Sequence, residues 1–215
     1  MNSRLTKPIA LVALLLSLAF ARPGQASTVV FDSMSGARIA DYLVGYWPAY
    51  GYQTFLPGQQ FTPTVTGYID ALTLAAWTPD RASGVALTFG VFADNAGQIG
   101  NLLETLDVTT QGWPSGGLPL ATGSYASGAT LSAGTTYWLL AQTLTPAYWS
   151  TINPGQPGSF VEASQIKLGT SLVIDQPYVN YYGATAPYST GMTISIAAPS
   201  AVPLPAAAWL LVSGL

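Results

Sequence analysis

The stretch Val85-Ala86-Leu87-Thr88-Phe89-Gly90-Val91-Phe92 decides the fold. Val85, Leu87, Phe89 and Val91 recur at every second position, with Ala86, Thr88 and Gly90 between them. A β-strand turns successive side chains to opposite faces, so this alternation predicts a strand with one apolar face on a core. A helix would scatter the same four residues around its axis.

The pattern repeats outward along the chain. Met192, Ile194 and Ile196 alternate with Thr193 and Ser195. Short β-branched or aromatic runs at Thr28 to Phe31, Gly67 to Trp77, Leu102 to Val108 and Thr135 to Gln142 are separated by Gly, Pro, Ser and Asn clusters. No segment after residue 27 sustains a helical period, and the frequent Gly and Pro residues oppose long helices. Asn153-Pro-Gly-Gln-Pro-Gly-Ser159 reads as a compact loop. Many short strands in one chain of this length predict an all-β protein, an antiparallel β-sandwich of jelly-roll-like type over residues 27–198.

Composition narrows the function. Charged residues are 7% of the chain, against roughly a quarter in ordinary soluble domains. Beyond residue 26 only Arg38, Arg81 and Lys167 face nine acidic residues, a formal balance of −6. Phosphate binding needs several aligned cations, so nucleic acid is not an expected partner. The chain has no histidine and no cysteine, which removes imidazole and thiolate chemistry, disulfides and thiolate metal sites.

Catalysis would then rest on carboxylates. A glycosidase needs two acids across one cleft. Asp70, Asp80, Asp94, Glu104, Asp107, Glu162 and Asp175 show no spacing that pairs two of them, and most suit turns or strand ends. A non-catalytic protein is therefore expected, with a carboxylate-based glycoside hydrolase the least favoured alternative. Asp94-Asn95-Ala96-Gly97-Gln98 offers hard oxygen ligands but too few acids for a calcium loop. It reads as a hairpin turn with Asn95 or Gly97 at positive φ. No cofactor is expected, and a structural Ca²⁺ is the one ion that extracellular sandwiches often hold.

Aromatics are the remaining chemistry. Tyr42, Tyr46, Trp47, Tyr50 and Tyr52 crowd one stretch, where Gly45, Pro48 and Gly51 predict irregular structure. Tyr178, Tyr181, Tyr182 and Tyr188 form a second set. Exposed rings stack on the apolar faces of sugars, which makes Tyr46, Trp47, Tyr50 and Tyr52 candidates for glycan stacking. The competing expectation is that these rings fill core edges. Trp77 and Trp138 are expected in the core, whereas Trp113 and Trp149 have no assignment from sequence.

The two ends carry addresses. Arg4 and Lys7 precede an apolar run from Ile9 through Phe20, and Gly24-Gln25-Ala26 supplies small residues for cleavage after Ala26. This is the order of a secretory signal peptide, so residues 1–26 are read as a leader handled by signal peptidase on the Sec route. The run is shorter than the roughly 20 residues of a membrane span. At the other end Val202-Pro203-Leu204-Pro205-Ala206 precedes Trp209-Leu210 and Ser213-Gly214-Leu215.

This tail, residues 199–215, resembles the VPLPA form of the PEP-CTERM sorting signal of Gram-negative bacteria. The resemblance implies recognition of Val202, Pro203, Leu204, Pro205 and Ala206 by an exosortase, retention at the cell envelope, outer surface or extracellular matrix, and exopolysaccharide as a partner. The family pattern continues with a full span and a basic cluster. Here ten residues run from Ala206 to Leu215, about half a span, with no Lys or Arg, so the tail is incomplete against that pattern. Gln59-Gln60-Phe61-Thr62, Val85 to Leu106 with Asp94-Asn95-Ala96-Gly97, and Leu131-Ser-Ala-Gly134-Thr-Thr-Tyr137-Trp138-Leu139 look like the choice-of-anchor R type of domain. That resemblance implies surface location more than activity.

Overall fold

The computed structural model describes residues 26–50, 53–153, 160–163, 166–168, 172–174, 179–182 and 189–198. The leader before residue 26, the 154–159 loop and the sorting motif Val202 to Ala206 lie outside the described residues.

In chain order the strands are β1 (Ser27–Asp32), β2 (Ala37–Trp47), β3 (Gln53–Phe61), β4 (Tyr68–Leu74), β5 (Ala76–Trp77) and β6 (Ser83–Asn95). They continue with β7 (Gln98–Gln111), β8 (Ala121–Ser124), β9 (Tyr137–Ala141), β10 (Ala147–Asn153) and β11 (Phe160–Ala163). The last are β12 (Ile166–Leu168), β13 (Leu172–Ile174), β14 (Val179–Tyr182), β15 (Ser189–Thr190) and β16 (Met192–Ala197). Among the described residues the only helical piece is a 3-10 turn at Pro48–Tyr50, and every pairing is antiparallel.

The large sheet runs β1-β16-β4-β8-β7-β6-β9-β3, and through β3 it reaches β2, β10 and β15. The predicted alternation sits at its centre. Leu87, Phe89 and Val91 on β6 are fully buried beside Val108 and Leu106 of β7, and Val85 packs partly buried against them. Burying each such side chain is worth about 1.5–3 kcal/mol. From β10, Trp149 meets Phe89 edge to face, ring centroids 5.2 Å apart. Its indole N–H donates to the Gly191 carbonyl at 3.0 Å, so the largest ring of the β10 side enters the core with its polar atom satisfied.

Two strands change neighbours at a kink. Gly67 to Trp77 is not one continuous strand, as expected from sequence, but two: β4 pairs with β16 and β8, the chain steps at Ala75, and β5 pairs with β10. β15 and β16 repeat the manoeuvre at Gly191. The kinks meet, because Ala75 N–H donates to Gly191 O, Gly191 N–H to Ser150 O and Ser150 N–H to Ala75 O, each at 2.8 Å. A Cβ on Gly191 would lie 2.7 Å from the Ala75 Cβ, so only glycine fits this corner without a shift.

The Tyr42 to Trp47 region corrects the expectation of irregular structure. It belongs to the eleven-residue strand β2. Its first part pairs with β10, and beyond Gly45, at φ +82°, Tyr46 and Trp47 pair with Thr54 and Gln53 of β3. A Cβ at Gly45 would collide with the Thr145 carbonyl. Glycine at this point marks a bend within pairing strands rather than the end of one.

Candidate functional site

The face of β10 opposite Trp149 carries the site. Tyr148 stands directly across from Trp77 of β5, and the rings stack at 4.3 Å with a 22° interplanar angle. Trp47 meets the edge of Tyr148 at 5.1 Å, and Trp113, from the loop after β7, meets Trp77 edge to face at 4.8 Å. All four rings are half-buried. The expectation that Trp77 fills the core is therefore corrected: it lies on the outward side of its strand. Trp138 is fully buried as expected, and so is Trp149.

The two cations whose side chains are described, Arg38 and Arg81, converge on this group of rings. The Arg81 guanidinium lies 4.6 Å from the Trp113 centroid, and that of Arg38 lies 5.5 Å from it and 5.9 Å from Trp77. Each such contact contributes about 0.5–1 kcal/mol at an exposed site. Arg38 forms a two-pronged ion pair with Asp41. In an ideal strand residues three apart face opposite ways. Here Ala40 and Arg38 pair with the consecutive residues Thr151 and Ile152, so Ile39 is an extra residue and the bulge brings Arg38 and Asp41 to one face.

Ser150 Oγ donates to Asp41 Oδ1 at 2.7 Å. Desolvation pushes the Asp41 carboxyl up, but the Arg38 and Ser150 hydrogen bonds, the Arg38 charge and the Trp77 indole together hold it below the usual range. The buried Trp77 Nε1 adds the smallest contribution, its N–H dipole favouring the Asp41 charge. Arg81 has no ion pair among the described residues.

Beside Trp113 opens a cleft of about 590 Å³. The turn between β1 and β2 gives it Met34 and Gly36, the last residue of β7 gives it Gln111, and the loop between β7 and β8 gives it Gly112, Trp113 and Pro114 among others. No charged side chain lines it. Its size is that of a small-ligand site.

The sequence candidates divide accordingly. Trp47 joins the aromatic group, with its Nε1 donating to Val44 O at 2.8 Å, while Tyr46 is half-buried one residue before it. The Tyr50 side chain, Tyr52, Tyr178 and Tyr188 lie outside the described residues, as do the side chains of Tyr181 and Tyr182. Ala26 is exposed at the start of the described chain. Asp41, Trp77, Trp113 and Tyr148 were not read from sequence as one group. Strict alternation from Leu72 and Leu74 does turn Trp77 outward, which was a usable signal.

The Asp94 loop is a hairpin turn. Asn95 pairs with Gln98, and the positive φ values fall on Ala96 (53°) and Gly97 (84°), so Ala96 rather than Asn95 takes the first left-handed position. Asp94 Oδ1 accepts from Gln60 Nε2 at 2.7 Å and from the Trp138 indole at 2.8 Å, and Oδ2 accepts from Gly97 N at 3.0 Å. Both oxygens are held by N–H donors, which does not fit a calcium ligand. Among the described residues no three acidic side chains group as a metal site.

Glu104 Oε2 accepts from Ala129 N at 3.1 Å, and burial raises its pKa. Tyr125 donates to the Asp107 carbonyl at 2.8 Å, and its hydroxyl is shifted upward by desolvation and by Asp107 and Glu104. The Asp107 carboxylate accepts from Thr88 at 2.7 Å and that of Asp70 from Ser27 at 3.1 Å. Asp80 accepts from Thr78 and Ala82 N, and these bonds hold it below the usual range. The side chain of Glu162, and Asp175, lie outside the described residues. Comparison with protein-family models and with curated proteins found no match.

Proposed function

We propose that this chain is a non-catalytic, exported surface or extracellular-matrix protein, built on a jelly-roll-like sandwich and processed by signal peptidase and an exosortase. The observation that supports the non-catalytic reading is the use of its carboxylates. Asp41, Asp70, Asp80, Asp94, Glu104 and Asp107 each bond to framework groups, and none lines the cleft. The two strands that change neighbours at Ala75 and Gly191 support the sandwich. The resemblance of Val202 to Ala206 to a sorting motif supports envelope retention. The test is fractionation of the producing cell with a tagged chain, wild type and with Val202 to Ala206 replaced. Export with altered retention is the expected result, and a cytoplasmic wild-type chain would refute it.

A second reading has its own observation. Trp47, Trp77, Trp113 and Tyr148 beside a cleft, with a carboxylate and two guanidiniums at its margin, support a carbohydrate-binding module. Half-buried rings give apolar sugar faces a surface, and the charged groups give hydroxyls their hydrogen bonds. Binding on a glycan array that disappears in Trp113→Ala and Trp47→Ala is expected. An array without signal would remove this reading.

A further inference from the structure

Cations are scarce in this chain, yet two of the three beyond residue 26 are placed on one indole ring. Like charges repel, so their convergence needs compensation. Asp41 supplies it for Arg38 through the ion pair. Arg81 has the Trp113 ring face, its neighbour Asp80 turning Oδ1 to the Thr78 hydroxyl and the Ala82 N–H. The Arg81 guanidinium is thus left without an ion pair among the described residues.

That charge stands at the margin of a cleft whose lining is uncharged and includes Trp113, Gln111, Gly112, Gly116 and Gly117. The Gln111 Nε2 is already committed to Thr109 O and Thr122 Oγ1, each at 3.0 Å, whereas its side-chain carbonyl oxygen accepts no hydrogen bond among the described residues. An occupant must therefore present a flat apolar face, hydroxyl donors and a single anionic group. A sugar acid has all three on one ring.

We infer that the Trp113 cleft binds an acidic saccharide of the uronate class, with the Arg81 guanidinium pairing its carboxylate and the Trp113 indole packing on its ring. The inference rests on the carbohydrate-binding reading and adds the charge of the ligand. Arg81 supplies the preference for acid, whereas Trp113 supplies affinity for acidic and neutral sugars alike.

The experiment is calorimetric titration of the purified full chain with trigalacturonate, its methyl ester, neutral maltotriose and a short poly-glutamate peptide. Trigalacturonate should bind about tenfold more tightly than its ester, a difference of about 1.4 kcal/mol. Raising salt from about 50 mM to about 500 mM should weaken the acid and spare the ester. Arg81→Gln should abolish the preference for acid over ester, Arg81→Lys should keep part of it, and Trp113→Ala should lose both ligands with the thermal transition intact. Equal binding of acid and ester overturns the acidic preference and leaves the saccharide reading standing. Binding of no sugar overturns both. Poly-glutamate bound as tightly as trigalacturonate overturns the saccharide and marks the site as one for acidic peptide. Should Arg81→Gln not fold, the acid-to-ester ratio of the wild-type chain and its salt dependence decide the matter.

Discussion

Replacing Asp94 by Ala should be among the costliest polar substitutions in the domain. Trp138 is fully buried, and its indole N–H has Asp94 Oδ1 as its acceptor at 2.8 Å. Deleting that acceptor strands a buried donor, at a cost of about 1–3 kcal/mol. Gln60 Nε2 is partly buried and loses a further 0.5–1.5 kcal/mol, roughly, as water takes the place of Asp94. Gly97 N–H is exposed, so water replaces its bond at almost no cost. The sum is about 1.5–4.5 kcal/mol, a large fraction of an ordinary domain's stability. Urea unfolding followed by far-ultraviolet circular dichroism should show the midpoint falling by about 1–2 M at unchanged slope. Asp94→Asn retains the Oδ1 acceptor and should lose under about 1 kcal/mol. Trp138→Phe removes the donor, so the double variant with Asp94→Ala should be more stable than the two single losses predict, by about 1 kcal/mol or more. Additive losses, or an Asp94→Ala cost under about 0.5 kcal/mol, would refute the reasoning.

The other predictions use the same framework. Ala96→Gly relieves the left-handed strain at φ 53° and should raise stability by about 0.5–1 kcal/mol, read as a higher Tm. Gly191→Ala forces its new Cβ against Ala75 and should cost about 1–3 kcal/mol, whereas Gly116→Ala, which meets nothing within 4 Å, should change stability by less than about 0.5 kcal/mol in the same denaturation assay. Asp41 has a folded pKa below its unfolded value of 3.8, so its contribution is present above that pH and lost as pH falls through the folded pKa. Asp41→Asn should accordingly flatten the acid limb of Tm against pH, and an unchanged limb would contradict the assignment. Adding a chelator should leave Tm unmoved, because the Asp94 oxygens already bind protein donors.

The strands at the centre of the large sheet were legible because burial on one face imposes period two, which Leu87, Phe89 and Val91 obey. The candidate site was less legible because it depends on departures from that period. Arg38 and Asp41 share a face only through the extra residue Ile39, and nothing in the local sequence announces the bulge. Gly45 and Pro48 look like breakers, yet β2 bends at Gly45 and goes on to Trp47. Trp113 comes from a loop, where no periodicity speaks, and it reaches Trp77 only through tertiary placement. The size of the Trp77 ring suggests the core, whereas its parity with Leu72 and Leu74 places it outward.

The pairing of β1 with β16 sets a timetable for folding. Ser27 stands opposite Ala197 and Asp32 opposite Thr193, so the first strand has no partner on that edge until almost the whole described chain has been synthesised. At ordinary ribosomal speeds that interval is roughly ten to thirty seconds. Throughout it the sheet lacks the strand that joins β1 to β4, and such distant pairing is slow to nucleate. For an exported chain, as proposed above, the delay keeps the polypeptide threadable, because the strand that completes this edge is the last of the described strands to be synthesised.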